Sequence, residues 1–119
     1  MKLETIYKGW GKEVVFARHP GYCGKLLCFD KAGNKGSMHF HALKDETWYV
    51  QQGSFIVRYI QTDTAGVKET TLNTGDVWHN RPLLPHQLEA LEDDSIIFEA
   101  STHDDADDSY RVFPGDSQK

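Results

Sequence analysis

Two histidines and a glutamate lie close together in the sequence, at a spacing that suits metal binding. His39 and His41 are separated by one residue, so in a β-strand both imidazoles project from the same face. Glu46 follows shortly afterwards, and a third histidine, His86, comes directly after Pro85. Imidazole and carboxylate groups together bind Zn, Fe, Mn, Ni or Co and leave positions for water or substrate.

The alternative reading is that these histidines are ordinary core residues. A single buried histidine is more often a hydrogen-bonded core residue than a ligand. Two on one face of a strand are different, because burying paired imidazoles without a shared ligand incurs the desolvation cost twice. The spacing therefore indicates a metal site.

The elements that must position these residues are predicted to be short strands. Helical periodicity is nearly absent, whereas β-branched and aromatic runs alternate with turn residues. Nine short strands at regular spacing predict an all-β sandwich or barrel. The predicted strands cover residues 14–17, 22–29, 38–43, 47–52, 54–61, 67–72, 76–80, 86–91 and 95–100.

Composition limits both the size and the class of the protein. The 119 residues, 39% hydrophobic and 12% aromatic, predict one domain over residues 1–119 with a real core. A net charge of -5 and the lack of a Lys/Arg cluster argue against a nucleic-acid partner. No apolar run approaches the ~20 residues of a spanning helix, so no membrane partner is expected. The acidic segment 103–108 is expected to be irregular and solvated.

The cysteines and the first residues of the chain bear on the compartment. Cys23 and Cys28 lie in one predicted strand at an odd separation, which places them on opposite faces. A disulfide between them is not expected, and free thiols suit a reducing compartment. The N-terminal residues lack the apolar stretch of a secretory signal. We therefore expect a cytoplasmic protein.

The residues of the proposed site also belong to longer motifs. The segment from Gly33 to Gly53 resembles the first motif of the cupin superfamily at every fixed position, with His39, His41 and Glu46 at the ligand positions. The segment from Gly75 to Pro85 and the histidine that follows it resembles the second cupin motif. The spacing from that glycine to the histidine is the one that the family requires.

The second motif departs from the family pattern at three positions. Arg81 stands where a proline is usual, Leu83 where a glycine is usual, and Ala90 at the closing asparagine position. These departures concern the turn that leads to the histidine more than the ligand itself. A residue larger than glycine at position 83 is expected to reshape the mouth of the pocket.

The resemblance to cupins implies a fold and a ligand set. The implied fold is an all-β cupin double-stranded β-helix, also described as a jelly-roll barrel. The implied cofactor is one divalent transition metal, such as Zn, Mn, Fe or Ni, held inside the barrel. The implied ligands are His39, His41, Glu46 and His86.

The two ends of the chain carry a narrower resemblance. The segment 8–11, Lys-Gly-Trp-Gly, looks like the opening segment of the cupin domain in type II phosphomannose isomerases. The segments 99–102 and 107–111 look like the closing segment of that domain. The interval between the two paired histidines and the glutamate is longer here than is usual in those isomerases. The resemblance implies a relationship to sugar-phosphate isomerase-like cupins.

Three further residues are candidates for the pocket. If Glu46 faces inward, strand alternation directs Trp48 inward as well, where it either stacks on a sugar or packs in the core. Arg58 falls in an otherwise apolar strand, and either binds a substrate phosphate or carboxylate or lies on the outer sheet face. His79 is a candidate for proton transfer, with a core or surface histidine as the alternative.

The sequence also predicts a covered apolar face. Met38, Phe40 and the outward-facing aromatic residues form an apolar stripe larger than a monomer normally exposes. Either the second sheet or a partner subunit must cover it, and we expect a homodimer.

Three functions fit these observations. The first is a metal-dependent enzyme that isomerises or epimerises a small sugar or sugar phosphate, as the resemblance at both termini implies. The second is a non-haem metal-dependent dioxygenase or lyase, since three histidines and a glutamate can hold Fe(II) with open positions. The third is a non-catalytic cupin that binds a small molecule. All three have a small-molecule ligand or substrate as the partner.

Overall fold

The computed structural model describes residues 3–119 and is built almost entirely from β-strands. Within those residues no helix is long and apolar enough to cross a membrane. The prediction of an all-β chain is confirmed. The elements are β1 (Glu4–Lys8), β2 (Gly11–His19), β3 (Tyr22–Phe29), β4 (Met38–Phe40), β5 (Glu46–Gln52), β6 (Ser54–Ile60), β7 (Val67–Asn73), β8 (Val77–Asn80), β9 (His86–Ala90), β10 (Ser95–Ser101), β11 (Tyr110–Phe113) and a short 3-10 turn (Asp116–Gln118).

The strands form two antiparallel sheets whose inner faces enclose the core. One sheet has six strands in the order β1-β2-β3-β10-β5-β8, and the other has five in the order β11-β4-β9-β6-β7. Apolar side chains from both sheets meet between them, with Val50 and Ile97 from the first sheet and Phe55 and Val57 from the second fully buried. Burial of this kind contributes about 25 cal/mol for each Å² of apolar surface removed from water.

Strand alternation works as the sequence predicts in β5. Glu46, Trp48 and Val50 face the interior and are at most 3% exposed, whereas Tyr49 on the opposite face is 46% exposed. The turn that follows β5 requires glycine. Gly53 has φ 77°, in the left-handed region, and a Cβ there would collide with the Ser95 side chain.

The structure corrects several predicted boundaries. Strands β1 and β11 were not predicted, and β2 is longer than the predicted 14–17. The predicted strand 38–43 ends at Phe40, because the amides of residues 42–44 hydrogen-bond to the Asp108 carboxylate instead of to a neighbouring strand. The unpredicted β11 and the early end of β4 arise from contacts between segments that are distant in sequence, whereas β1 and the longer β2 pair with strands next to them in the chain.

The prediction of a solvated segment at 103–108 is wrong for two of its aspartates. Asp108 is only 8% exposed. The Asp104 side chain is 18% exposed and forms ion pairs with Lys44, Lys25 and Arg18. The segment is irregular in backbone, but it folds over the end of the barrel that contains the predicted metal ligands.

The apolar stripe lies elsewhere than predicted. Met38 is 1% exposed, and Phe40 stacks on Tyr110 of β11 with ring centroids 5.1 Å apart. A row of half-buried and exposed apolar side chains instead crosses the outer face of the six-stranded sheet, each paired with the next across neighbouring strands. The row consists of Val14, Leu26, Phe98, Tyr49 and Val77.

Candidate metal centre

Three imidazoles converge between the two sheets. His39 on β4 lies directly opposite His86 at the start of β9, and His41 follows in the loop after β4. Each histidine offers a ring nitrogen, and the three nitrogens lie within 4.8 Å of one another. The predicted His-x-His pair and the third histidine of the second motif are thus brought together.

Hydrogen bonds fix the tautomer of all three rings. The Nδ1–H of His86 donates to the carbonyl oxygen of Leu84 at 2.8 Å, and that of His41 donates to the carbonyl oxygen of Asp108 at 2.6 Å. His39 Nδ1 lies 3.0 Å from both the carbonyl oxygen and the Oγ of Ser37, and we assign its N–H as donor to the carbonyl oxygen. A ring that donates from Nδ1 keeps the Nε2 lone pair for a ligand, so all three Nε2 atoms are free to bind metal.

Glu46 completes the set. Its Oε1 atom lies 2.9 Å from His86 Nε2 and 3.9 Å from His41 Nε2. Within residues 3–119, His86 Nε2 is nevertheless a buried polar atom without a hydrogen-bond partner. A lone-pair nitrogen and a carboxylate oxygen held this close repel each other unless a cation lies between them. The residues present therefore fit a divalent transition metal, and three nitrogens with one oxygen suit Zn, Mn, Fe or Ni.

Burial keeps His39 and His41 neutral, as metal binding requires. Burial lowers the pKa of His39 to about 3, and the neighbouring His86 and His41 lower it further in the same direction. Burial also lowers the pKa of His41. A neutral imidazole is the ligand form, so a metal ion does not have to displace a proton from either ring at neutral pH.

A cluster of charged groups, missed in the sequence analysis, lies beside the ligands. The Lys44 ammonium contacts Glu46 Oε2 at 3.2 Å, Glu99 Oε2 at 3.2 Å and Asp104 Oδ1 at 3.0 Å. Its side chain is only 5% exposed. Burial alone would lower the pKa of Lys44, but the three carboxylates outweigh burial and raise it. The ammonium therefore stays charged and holds these carboxylates together.

A second buried lysine extends this cluster. Lys25 on β3 lies 3.2 Å from Glu13, 3.4 Å from Asp104 and 3.9 Å from Glu99. Burial, and then repulsion from Glu46, raises the pKa of Glu99 to about 7. No sequence pattern marks these residues as a group, because they come from β2, β3, β10 and two loops.

The ligands and the charged cluster open into one cavity of about 580 Å³. A volume of this size falls in the range of small-molecule sites. Both charged groups and the aromatic residues Trp10 and Trp48 line it. Arg111 of β11 also lines the cavity, and its backbone pairs with that of His39.

The three further pocket candidates from the sequence have different positions. Trp48 lines the cavity, and its Nε1–H donates to Glu99 Oε1 at 3.1 Å. His79 does not line the cavity: its side chain is 58% exposed and lies beside Asp45 on the outer face. Arg58 does not line it either, because it faces outward and pairs with Glu89 at 2.9 Å and Glu69 at 3.2 Å. Neither position supports the proposed catalytic and substrate-binding roles.

The alternation of side chains along β8 explains why His79 faces outward and not into the cavity. Trp78 lies opposite Trp48 in the β5–β8 pair, and Asn80 lies opposite Glu46. The inward residues of β8 are therefore Trp78 and Asn80, and His79 between them must face outward. Asn80 is 1% exposed and donates from Nδ2 to Glu46 Oε1 at 3.2 Å. Asn80 thus orients the carboxylate of the candidate ligand Glu46. No sequence pattern indicated this role.

The turn before His86 takes the shape that a glycine would favour. Leu83 has φ 72°, in the left-handed region, and its backbone N–H donates to the carbonyl oxygen of His41 at 2.7 Å. The strain of this conformation costs a non-glycine residue roughly 1–2 kcal/mol. The Leu83 side chain is 58% exposed and does not line the cavity, so the predicted change at the pocket mouth is not seen.

Removing the charge of Asp104 is expected to destabilise the protein in a pH-dependent way. Burial alone would raise the pKa of Asp104, but Lys44 and Lys25 outweigh burial and hold it well below its usual value. The ion pairs therefore stabilise the fold fully above the pKa of the unfolded carboxyl, about 3.9, and the stabilisation is lost progressively as the pH falls from there through the much lower pKa of the folded state. In urea titrations we expect Asp104→Asn to lose about 1–3 kcal/mol at pH 7 and less than that at pH 3.

The matched control is Asp105→Asn, because Asp105 is exposed and forms no ion pair with the described residues. It should unfold as the unsubstituted protein does at both pH values. A loss in Asp104→Asn that is equally large at pH 3 would show that the ion pairs are not its cause.

Comparisons with solved structures identify the fold. CapF from Staphylococcus aureus, a capsular polysaccharide assembling protein, superposes with a TM-score of 0.81 at 18% identity over 95% of this chain and 33% of its own. KdgF from Halomonas sp. has a TM-score of 0.74 at 23% identity and is covered over 90% of both chains. Oxalate decarboxylase from Bacillus subtilis has a TM-score of 0.79 at 18% identity over 93% of this chain and 30% of its own.

These similarities define the architecture. No protein-family model matches the sequence, and no curated protein matches it either. The chain spans about a third of the CapF and oxalate decarboxylase chains, so it corresponds to one part of each. The resemblance to phosphomannose isomerases remains a prediction. With its two facing antiparallel sheets, the chain has the β-barrel fold of the cupins.

Proposed function

We propose that the protein is a metal-dependent enzyme that isomerises or epimerises a small sugar or sugar phosphate. The observation that carries the proposal is the convergence of three histidine Nε2 atoms and Glu46 at a cavity that also contains buried charged groups. The similarity in fold to CapF, which assembles a capsular polysaccharide, supports a substrate of the sugar type. The resemblance of both chain ends to isomerase cupins supports the same class of reaction.

The ligand set determines where the substrate binds. His39, His41, His86 and Glu46 would hold the metal at the inner end of the cavity. When bound, a divalent metal polarises neighbouring carbonyl and hydroxyl oxygens of a sugar. This eases removal of the proton from the carbon that bears the hydroxyl group, next to the carbonyl carbon. The reacting carbon is therefore expected to lie at this end of the cavity.

Two residues are proposed to hold the rest of the substrate. The indole ring of Trp48 provides an apolar wall beside His86, with ring centroids 5.3 Å apart, against which a sugar ring can pack. Arg111, which also lines the cavity, provides a cation. Arg18 and Arg58 are both paired with carboxylates, whereas Arg111 forms no ion pair with the described residues. A guanidinium of this kind suits a phosphate or carboxylate group.

Proton transfer needs a group that is not a metal ligand. His79 lies outside the cavity, so we assign this role to a cavity carboxylate. Glu99 is the best placed, since it faces inward on β10 opposite Trp48 and shares the Lys44 ammonium with Glu46. Lys44 and Trp48 both donate to its carboxylate, which orients it within the site.

The proposal is tested by solvent deuterium exchange into a panel of aldose and ketose phosphates, monitored by NMR with metal-loaded protein. We expect exchange at the carbon next to the carbonyl group for at least one compound. Arg111→Gln is expected to raise the KM for that phosphate by about 10- to 100-fold, because a charge-assisted contact is lost. Arg81→Gln, an exposed arginine outside the cavity, is the control and should leave KM unchanged.

The absence of exchange from every compound in the panel would overturn the proposal. An unchanged KM in Arg111→Gln would show that Arg111 does not bind the phosphate group of the substrate.

A metal-dependent dioxygenase or lyase is the second candidate. The similarity in fold to oxalate decarboxylase from Bacillus subtilis, which contains Mn(II) centres, favours it. Oxygen uptake after anaerobic loading with Fe(II) would support the dioxygenase, and its absence would count against it.

We also propose that the protein is a cytoplasmic homodimer. Both cysteines are free, in keeping with a reducing compartment. The apolar row from Val14 to Val77 on the six-stranded sheet is the surface that a second copy would cover.

A further inference from the structure

The loop that carries His41 toward Glu46 is held by a single aspartate from the C-terminal part of the chain. Three successive backbone N–H groups of this loop point at the Asp108 carboxylate. Ala42 donates to Oδ1 at 2.8 Å, and Leu43 and Lys44 donate to Oδ2 at 3.1 Å and 2.9 Å. Consecutive amides that converge in this way form a nest for an anion, and here the anion is a side chain of the protein itself.

The same residue also holds the imidazole. The carbonyl oxygen of Asp108 accepts the Nδ1–H of His41 at 2.6 Å. The side chain of Asp108 thus fixes the backbone that follows His41, while the main-chain carbonyl group of Asp108 fixes the His41 ring. Asp108 is 8% exposed, so little water competes for these contacts.

We propose that Asp108 is a positioning residue for the metal centre. By binding the three amides it places its own carbonyl oxygen under His41, which sets the tautomer and direction of that ring. The inference rests on the metal-binding part of the proposed function and is independent of the substrate. Residues that orient a metal ligand in this way typically affect affinity by about 10- to 100-fold.

A purely structural role predicts a different result. If Asp108 only stabilises the loop, its loss lowers the melting temperature, but the folded protein still binds metal with its usual affinity. The contact with His41 distinguishes the two roles, because it acts on one of the three imidazoles. His39 and His86 donate to Ser37 and Leu84 and are independent of Asp108.

The test compares Asp108→Asn with Asp107→Asn. Both substitutions remove one negative charge from the same segment, but Asp107 is exposed and accepts no hydrogen bond from the described residues. The affinity for Zn²⁺ is measured by competition with a chromophoric chelator, at a temperature at which circular dichroism shows the metal-free protein to be folded. We expect Asp108→Asn to bind about 10- to 100-fold more weakly and Asp107→Asn to bind within about twofold of the unsubstituted protein.

A second measurement uses the metal-free proteins. In ¹⁵N NMR spectra of the imidazoles, Asp108→Asn should shift the Nδ1 resonance of His41 and leave those of His39 and His86 in place. If Asp108→Asn does not fold, Asp108→Glu replaces it in both measurements, since it retains the charge but displaces the carboxylate.

The inference is overturned if the folded Asp108 variant keeps its Zn²⁺ affinity and its His41 resonance, or if both Asp108 variants fail to fold. Failure of the unsubstituted protein to bind Zn²⁺, Mn²⁺, Fe²⁺ or Ni²⁺ would overturn this inference together with the proposed function. Normal Zn²⁺ affinity in Asp108→Asn would leave the proposed function intact.

Discussion

Replacing His86 with alanine is expected to abolish stoichiometric metal binding. His86 is 1% exposed, its Nδ1 is fixed by Leu84, and its Nε2 lies beside Glu46 without a hydrogen-bond partner among the described residues. Elemental analysis of protein purified without chelator should find close to one transition metal per chain, and almost none in His86→Ala. The identity of the metal would also favour one of the two enzymatic candidates.

The same substitution should remove the stabilisation by metal. A ligand present at 100 times its Kd stabilises the folded state by about 2.7 kcal/mol, which raises the melting temperature of a domain of this size by about 10 °C. We expect a rise of this order for the unsubstituted protein and none for His86→Ala. His79→Ala is the matched control, since that histidine is 58% exposed and lies outside the cavity. Equal shifts in His86→Ala and the unsubstituted protein would refute the ligand assignment.

The second large effect is expected at Lys44. Lys44→Met keeps most of the side-chain volume but removes the ammonium that three carboxylates share, those of Glu46, Glu99 and Asp104. Removing one partner from a buried ionic group leaves uncompensated charge, and typically destabilises a protein by about 3–5 kcal/mol. For a small domain this is a large fraction of the free energy of unfolding. Urea titration at pH 7 measures the loss.

Lys31→Met provides the comparison for Lys44. Lys31 is 74% exposed and lies 4.0 Å from Asp93, a surface pair of the kind that contributes little. Its replacement should change the free energy of unfolding by about 0.5 kcal/mol or less. If Lys44→Met were as stable as Lys31→Met, the carboxylates would not depend on this ammonium.

The convergence of the candidate metal ligands could be predicted because it depends on local rules. An i, i+2 pair of histidines shares a face in any strand, and the inward direction of Trp48 and Val50 follows from that of Glu46. The motif spacing added His86. None of this required knowledge of how the sheets pair, and the structure places all four ligand candidates together.

The charged cluster could not be predicted, because its members are joined only by tertiary contacts. Asp104 lies in a segment whose composition is typical of a solvated face, yet it meets Lys44, 60 residues away. The directions in which His79 and Arg58 point could not be predicted either, for a related reason. Their faces depend on which residue of β8 lies opposite Trp48 and on how β6 pairs with β7 and β9, and that register is set by the whole barrel.

The position of Asp108 beneath His41 has a consequence for synthesis of the protein. His39 and His41 are made more than 60 residues before the segment 104–113, whereas His86 precedes that segment by only 18 residues. Until that segment has been made, the amides of residues 42–44 lack their acceptor, and β4 lacks its neighbour β11. Contacts of such long sequence separation form late in folding. Metal uptake should therefore follow translation of this segment, so that a nascent chain truncated before it stays unmetallated.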